Sequence, residues 1–165
     1  FYDADGLGAG VRGDARVINE QNSAKGIEEI QADPFRGSGA VHNPELEMVE
    51  ARKNIDFFAN LKAQMWWSLR MRFQNTYRAL QGMQYDPDAL ISLSTEDLDK
   101  RELEQLKREL SQPTYSKNGA GKILVNKQPD GALSPNRADS VMICFSDIRE
   151  RKRKKPAGAG SRTYQ

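Results

Sequence analysis

One cysteine and one histidine in 165 residues narrow the possible chemistry at the outset. The lone Cys144 cannot close an internal disulfide, and a chain without disulfides belongs by default to a reducing, intracellular compartment. Its neighbours Val141, Met142, Ile143 and Phe145 are apolar, which predicts a buried thiol. His42, beside Asn43 and Pro44, has no histidine, cysteine or carboxylate at ligand spacing and reads as a loop residue. Long apolar runs are missing too: no stretch approaches a membrane span, and the N-terminus is no signal peptide. Apolar residues make up 38% and the mean hydropathy is −0.75, low for a compact domain, so part of the chain is expected to be solvated loop or tail. Nor does one sign of charge dominate. A net charge of +2 says nothing by itself about nucleic acid. The distribution says more, because Arg149, Arg151, Lys152, Arg153, Lys154 and Lys155 crowd one stretch and leave a mildly acidic body.

What is present suffices for one domain with a real core. The expected organisation is a domain over residues 1–146 and a basic, disordered tail over 147–165, where Pro156 to Ser161 has linker composition. Phe1-Tyr2-Asp3 reads as the end of a strand. Val11, Ala15, Ile18 and Asn22 recur at helical spacing after the glycines, and Gly26 to Ala32 reads as a short strand stopping at Pro34. One long helix is expected from about Pro44 to Leu80. Its apolar stripe is Phe58, Leu61, Met65, Leu69, Phe73, Tyr77 and Leu80, with Lys62, Trp66 and Arg70 on the adjoining stripe. Ser94 and Asp97 match a capping box before a helix carrying Leu103, Leu106 and Leu110. Asn118-Gly119-Ala120-Gly121 between two strand-like runs signals a hairpin, and Ser134-Pro135 signals the cap and first turn of a last helix.

Two aspartates stand out. Asp3 ends a strand just before a glycine-rich turn; such a carboxylate either closes the strand or, on a rigid terminus, presents a hard oxygen ligand to a cation such as Mg²⁺. Asp139 lies about one turn into the last helix, where the macrodipole favours an anion, yet Ala138, Val141, Met142 and Phe145 surround it with apolar residues. Two nucleotide motifs compete. Gly119-Ala120-Gly121-Lys122 is a P-loop remnant in which Ile123 replaces the required Ser or Thr, so it fails. Gly8-Ala9-Gly10-Val11-Arg12-Gly13 does satisfy G-x-G-x-x-G, which keeps a nucleotide-binding α/β domain open, although no second βαβ series follows.

Asp3 to Gly10, the string Ser134-Pro135-Asn136-Arg137-Ala138-Asp139-Ser140 and Asn60 to Trp67 together resemble the C-terminal nuclease domain of phage terminase large subunits, over most of residues 1–145. The resemblance implies an α/β, RNase H-like mixed sheet flanked by helices, with one long central helix and a C-terminal hairpin plus short helix. It implies endonucleolytic cleavage of concatemeric double-stranded viral DNA by a divalent metal, Mg²⁺ or Mn²⁺. Asp3 and Asp139 match the second and third metal-binding aspartates. Lys62, Arg70, Lys122, Lys127 and Arg137 become candidates for the DNA backbone, and Asp5 is left as a turn residue. The partners implied are DNA, the terminase small subunit and the portal protein, with no membrane, in the host cytoplasm. The family's first catalytic aspartate lies on a strand upstream of the Asp3 match. The expectation is therefore a domain short of that strand and of the preceding ATPase domain, and a fragment of reduced activity. The alternative is a non-catalytic nucleic-acid-binding or assembly module of a packaging motor, with structural carboxylates and affinity carried by the basic tail.

Overall fold

The computed structural model describes residues 1–5, 10–146 and 148. The basic stretch from Arg149 and most of the glycine-rich turn after Asp5 lie outside the described residues.

The longest element decides the rest. Asn60 is extended and its side chain accepts a hydrogen bond from Ala63 N at 2.9 Å, which starts helix α3, Leu61–Leu80. This corrects the single helix expected from Pro44. Between Pro44 and α3 only Asn54–Phe57, α2, is helical, and Phe58 is extended, with φ −107° and ψ 141°. The break follows from packing: Phe58 turns inward to 1% exposure and bridges Ile123, where Ala59 N donates to Ile123 O at 2.9 Å. Ahead of α2, the buried amide of Asn54 donates to the carbonyls of His42 and Asn43 and accepts from Met48 N. The buried Gln64 amide brackets His42 through its backbone N and O, so this histidine is a loop residue as expected.

Two two-stranded sheets flank α3. Strand β1, Tyr2–Asp3, pairs in parallel with β2, Pro34–Phe35, and β3, Thr114–Lys117, pairs antiparallel with β4, Ile123–Asn126, across the expected hairpin. The strand expected over Gly26 to Ala32 is instead an irregular extended segment. Helix α1, Val11–Ala24, takes up its polar groups: Asn19 bonds both N and O of Ile30, and Asn22 donates to Glu28 O, in place of a strand partner. Helix α4, Lys100–Ser111, is capped by Asp99, which accepts from Glu102 N at 2.8 Å; the cap falls five residues after Ser94, the cap of the expected Ser94–Asp97 box.

Helix α5, Asn136–Cys144, packs on α3 and α4. The core is Phe35, Leu61, Met65, Trp66, Leu69, Ile91, Ala138, Met142 and Ile143. Phe73, Tyr77 and Leu80 continue the α3 stripe but are exposed, because the last turns of the helix run past the core. Cys144 is exposed, against expectation: Met142 and Ile143 take the inward positions of α5 and its last residue falls outside them.

Candidate active site

An open cleft of about 900 Å³ lies between β1, the middle of α3 and the outer face of α5. Asp3, Arg72, Asp88, Asn136, Asp139 and Cys144 are among the residues lining it. The two aspartates read from the sequence thus reach one cleft from opposite ends of the chain. Their local settings differ. Asp3 is exposed and its Oδ1 accepts Asp5 N at 3.0 Å, the Asx-type bond that turns the chain after the strand. Asp139 is 8% exposed and its Oδ2 forms an ion pair with the ammonium of the half-buried Lys127. A buried carboxylate needs such a partner.

Asp139 is positioned by a residue that no motif flagged. Ser134 was expected to cap α5, but Pro135 occupies the cap position and no side chain of the first turn closes it. The buried Glu109 of α4 does so from outside, accepting from Arg137 N at 2.7 Å and Ala138 N at 3.2 Å. Burial pushes the Glu109 carboxyl up. The Gln105 amide, the two backbone N–H groups and the Arg137 charge outweigh that and hold it below the usual carboxylate range. The available signal was Glu109 among Leu103, Leu106 and Leu110, a carboxylate next to the apolar stripe of α4. Asp88, absent from the expected site, and Arg72 line the same cleft. Arg72 is held by a bond from its NH1 to Leu90 O at 3.2 Å and by the Phe145 ring 5.9 Å from Cζ, while its buried Nε has no partner.

The structure sorts the five basic candidates. Lys127 meets the site through Asp139. Arg137 spends its guanidinium on Glu102 at 2.6 Å and Glu109 at 3.4 Å, which bolts α5 to α4 and raises its pKa. Lys62 lies beside Gly37 and Asp5: a Cβ at Gly37 would stand 3.1 Å from Lys62 Cβ and 3.3 Å from Asp5 Oδ2. Asp5 does more than turn the chain, since it accepts both N and Oγ of Ser38 and ties that loop to β1. Lys122 closes the hairpin through backbone bonds with Asn118. Arg70 lies over the Trp67 ring at 4.9 Å and lines a separate groove. Neither Lys62, Lys122 nor Arg70 lines the cleft.

The competing nucleotide motifs lose their geometry. Gly121-Lys122 sits in a turn between antiparallel strands instead of opening a helix. In G-x-G-x-x-G the last glycine permits close helix–strand packing, yet a Cβ at Gly13 would meet nothing within 4 Å.

No family model matches the chain, and neither does any curated protein. Solved structures do. The nuclease domain of the large terminase subunit gp2 of bacterial virus Sf6 is 35% identical to this chain at a TM-score of 0.72, over 86% of this chain and 62% of that one. A mutant of that domain with manganese and beta-thujaplicinol gives the same values. A mutant with calcium aligns over the same shares at a TM-score of 0.71. This chain is a relative of phage terminase nuclease domains. The RNase H-like class expected from the sequence is the fold of these terminase neighbours, and the likeness extends to sequence. The chain spans about 62% of the neighbours' length.

The donor chemistry of the cleft suits the kind of ion those neighbours hold. Asp3, Asp88 and Asp139 offer hard oxygens, the ligands that Mn²⁺, Mg²⁺ and Ca²⁺ take. Among the described residues no three His, Cys, Asp or Glu side chains are grouped closely enough to enclose an ion. A cation in this cleft would therefore meet at most two carboxylates, and the rest of its shell would fall to water and phosphate. No described helix is long and apolar enough to cross a membrane.

Proposed function

We propose that this chain is the metal-dependent nuclease domain of a viral genome-packaging terminase, cutting concatemeric double-stranded DNA with Mg²⁺ or Mn²⁺. The observation that carries the reading is Asp3 and Asp139 lining one cleft in a chain 35% identical to a terminase nuclease domain. Asp3 and Asp139 would hold the ion. A divalent cation bound there supplies Lewis-acid stabilisation of charge on phosphate and lowers the pKa of water. Lys127 holds the Asp139 carboxylate in its orientation through their ion pair. Arg72, anchored by Leu90 O and Phe145, offers a fixed positive charge to a phosphate entering the cleft. Lys62 and Lys122, outside the cleft, would touch the backbone further along the duplex, contacts that position DNA without reading its sequence. The host cytoplasm as location, and the terminase small subunit and portal protein as partners, belong to the same reading.

The second reading is a DNA-binding module without catalysis, and the engagement of Asp139 by Lys127 favours it. Plasmid nicking by the full-length protein separates the two. The expected result is nicking with Mn²⁺ or Mg²⁺ that stops with EDTA and falls at least about a hundredfold in Asp139→Asn, in line with the loss of a charged metal ligand. DNA retention on filters should survive that substitution. Retention without nicking under any divalent metal would establish the module instead.

A further inference from the structure

On the far side of α3 from the cleft, Trp66, Trp67, Leu69 and Phe73 of that helix face Leu110 of α4 and Tyr115 of β3 across a groove of about 400 Å³. Its floor is core: Leu69 is 3% exposed and Trp66 6%. Its rim is not covered, with Phe73 at 38% and Tyr115 at 59% exposure. The charged residues of the lining are Arg70 and Lys107, both cations. Among the described residues no carboxylate lines the groove.

These features select an occupant. Base stacking needs an open aromatic face, and Trp67 has none to spare. The Arg70 guanidinium lies over it at 4.9 Å, and the rings of Phe57 and Tyr115 meet it edge-on at 5.4 Å each. An aliphatic or phenyl side chain can instead enter the space between Leu69, Phe73, Leu110 and Tyr115, the way an anchor residue fills a pocket in helix-in-groove recognition. The cations then favour carboxylates on either side of that anchor. Lys107 already shows the preference: it holds Glu104 at 2.8 Å and lowers that carboxyl's pKa, and both side chains are more than half exposed, at 58% and 55%, so the pair is weak and leaves the ammonium accessible to a second carboxylate.

We propose that this groove is a protein-docking site for a segment of another protein that carries one bulky apolar anchor flanked by aspartate or glutamate. It stands independently of the nuclease reading, because none of its residues lines the cleft.

The chain has two tryptophans, Trp66 and Trp67, and both line the groove, so intrinsic emission reports occupancy directly. The full chain is panned against a random peptide library, and enriched peptides lacking tryptophan are synthesised and titrated while emission is followed. Enriched sequences should pair leucine, methionine or phenylalanine with neighbouring acids and should shift the emission saturably. Arg70→Glu and Lys107→Glu, each first shown to keep the wild-type urea midpoint, should weaken binding at least tenfold, whereas Asp139→Asn should leave it unchanged. A library that yields no peptide shifting the emission overturns the proposal. So do peptides without acids, and affinities unmoved by both charge reversals. Oligothymidylate that saturates the same signal and displaces the peptides would assign the groove to nucleic acid instead.

Discussion

Arg70 and Arg72 stand two residues apart on one helix, and that places them about 200° apart around it. Arg72 borders a polar cleft beside Asp3, Asp88 and Asp139, held by the Leu90 carbonyl and the Phe145 ring. Arg70 borders an apolar groove, held by the Trp67 ring. The same side chain thus borders a cleft lined by carboxylates on one face of α3 and an apolar groove on the other. The comparison teaches that charge along a helix does not name a ligand: the elements packed against each face do. α5 and β1 each bring a carboxylate to one side. α4 and β3 bring apolar carbon and the Lys107 cation to the other.

The comparison can be broken at several depths. The largest effect is expected from Leu69→Ala, which empties a core position beneath the groove and should cost about 3 kcal/mol in urea unfolding. If the two faces are separate, Mn²⁺-dependent nicking at a temperature where the variant stays folded should change little. A parallel loss of nicking would show that groove and cleft share one packing unit.

Glu109→Gln tests the cleft side and should cost about 2 kcal/mol near neutral pH, because a charged acceptor of two backbone N–H groups is lost. The pH dependence has a definite sign. The folded carboxyl has a lower pKa than its ordinary value of 4.5, so its stabilisation is complete above that pH and fades as pH falls below it. The wild type and the variant should therefore converge in acid urea titrations, and a constant difference down to low pH would refute the capping role.

Arg72→Gln and Arg70→Gln form the direct pair. On DNA, the slope of log affinity against log salt should become shallower by about 0.9 for Arg72→Gln, one phosphate contact fewer, and stay unchanged for Arg70→Gln. Equal slopes would erase the distinction between the two arginines. The smallest effect is expected for Lys107→Ala, whose exposed pair with Glu104 should leave the urea midpoint unmoved while the groove loses one of its cations.

The sequence by itself determined what local chemistry controls. Asn118 to Gly121 turns a hairpin because the Asn118 side chain takes up the N–H groups of Ala120 and Lys122 and Gly121 adopts φ +75°. Leu61, Met65 and Leu69 mark the inward face of α3, and the strings around Asp3 and Asp139 carried the likeness to terminase nucleases. Tertiary structure decided whatever depends on a partner far along the chain. Phe58 breaks a helix that its spacing would continue because Ile123 offers it a buried bridge. Asn19 replaces a strand partner for Ile30. Glu109 caps α5 from 28 residues away, and Lys127 takes the Asp139 carboxylate across the space between the hairpin and α5. Periodicity reports the burial of one element against an averaged neighbour. Which polar group meets which, in a dry interior where an unpaired one is costly, is settled only when the elements pack.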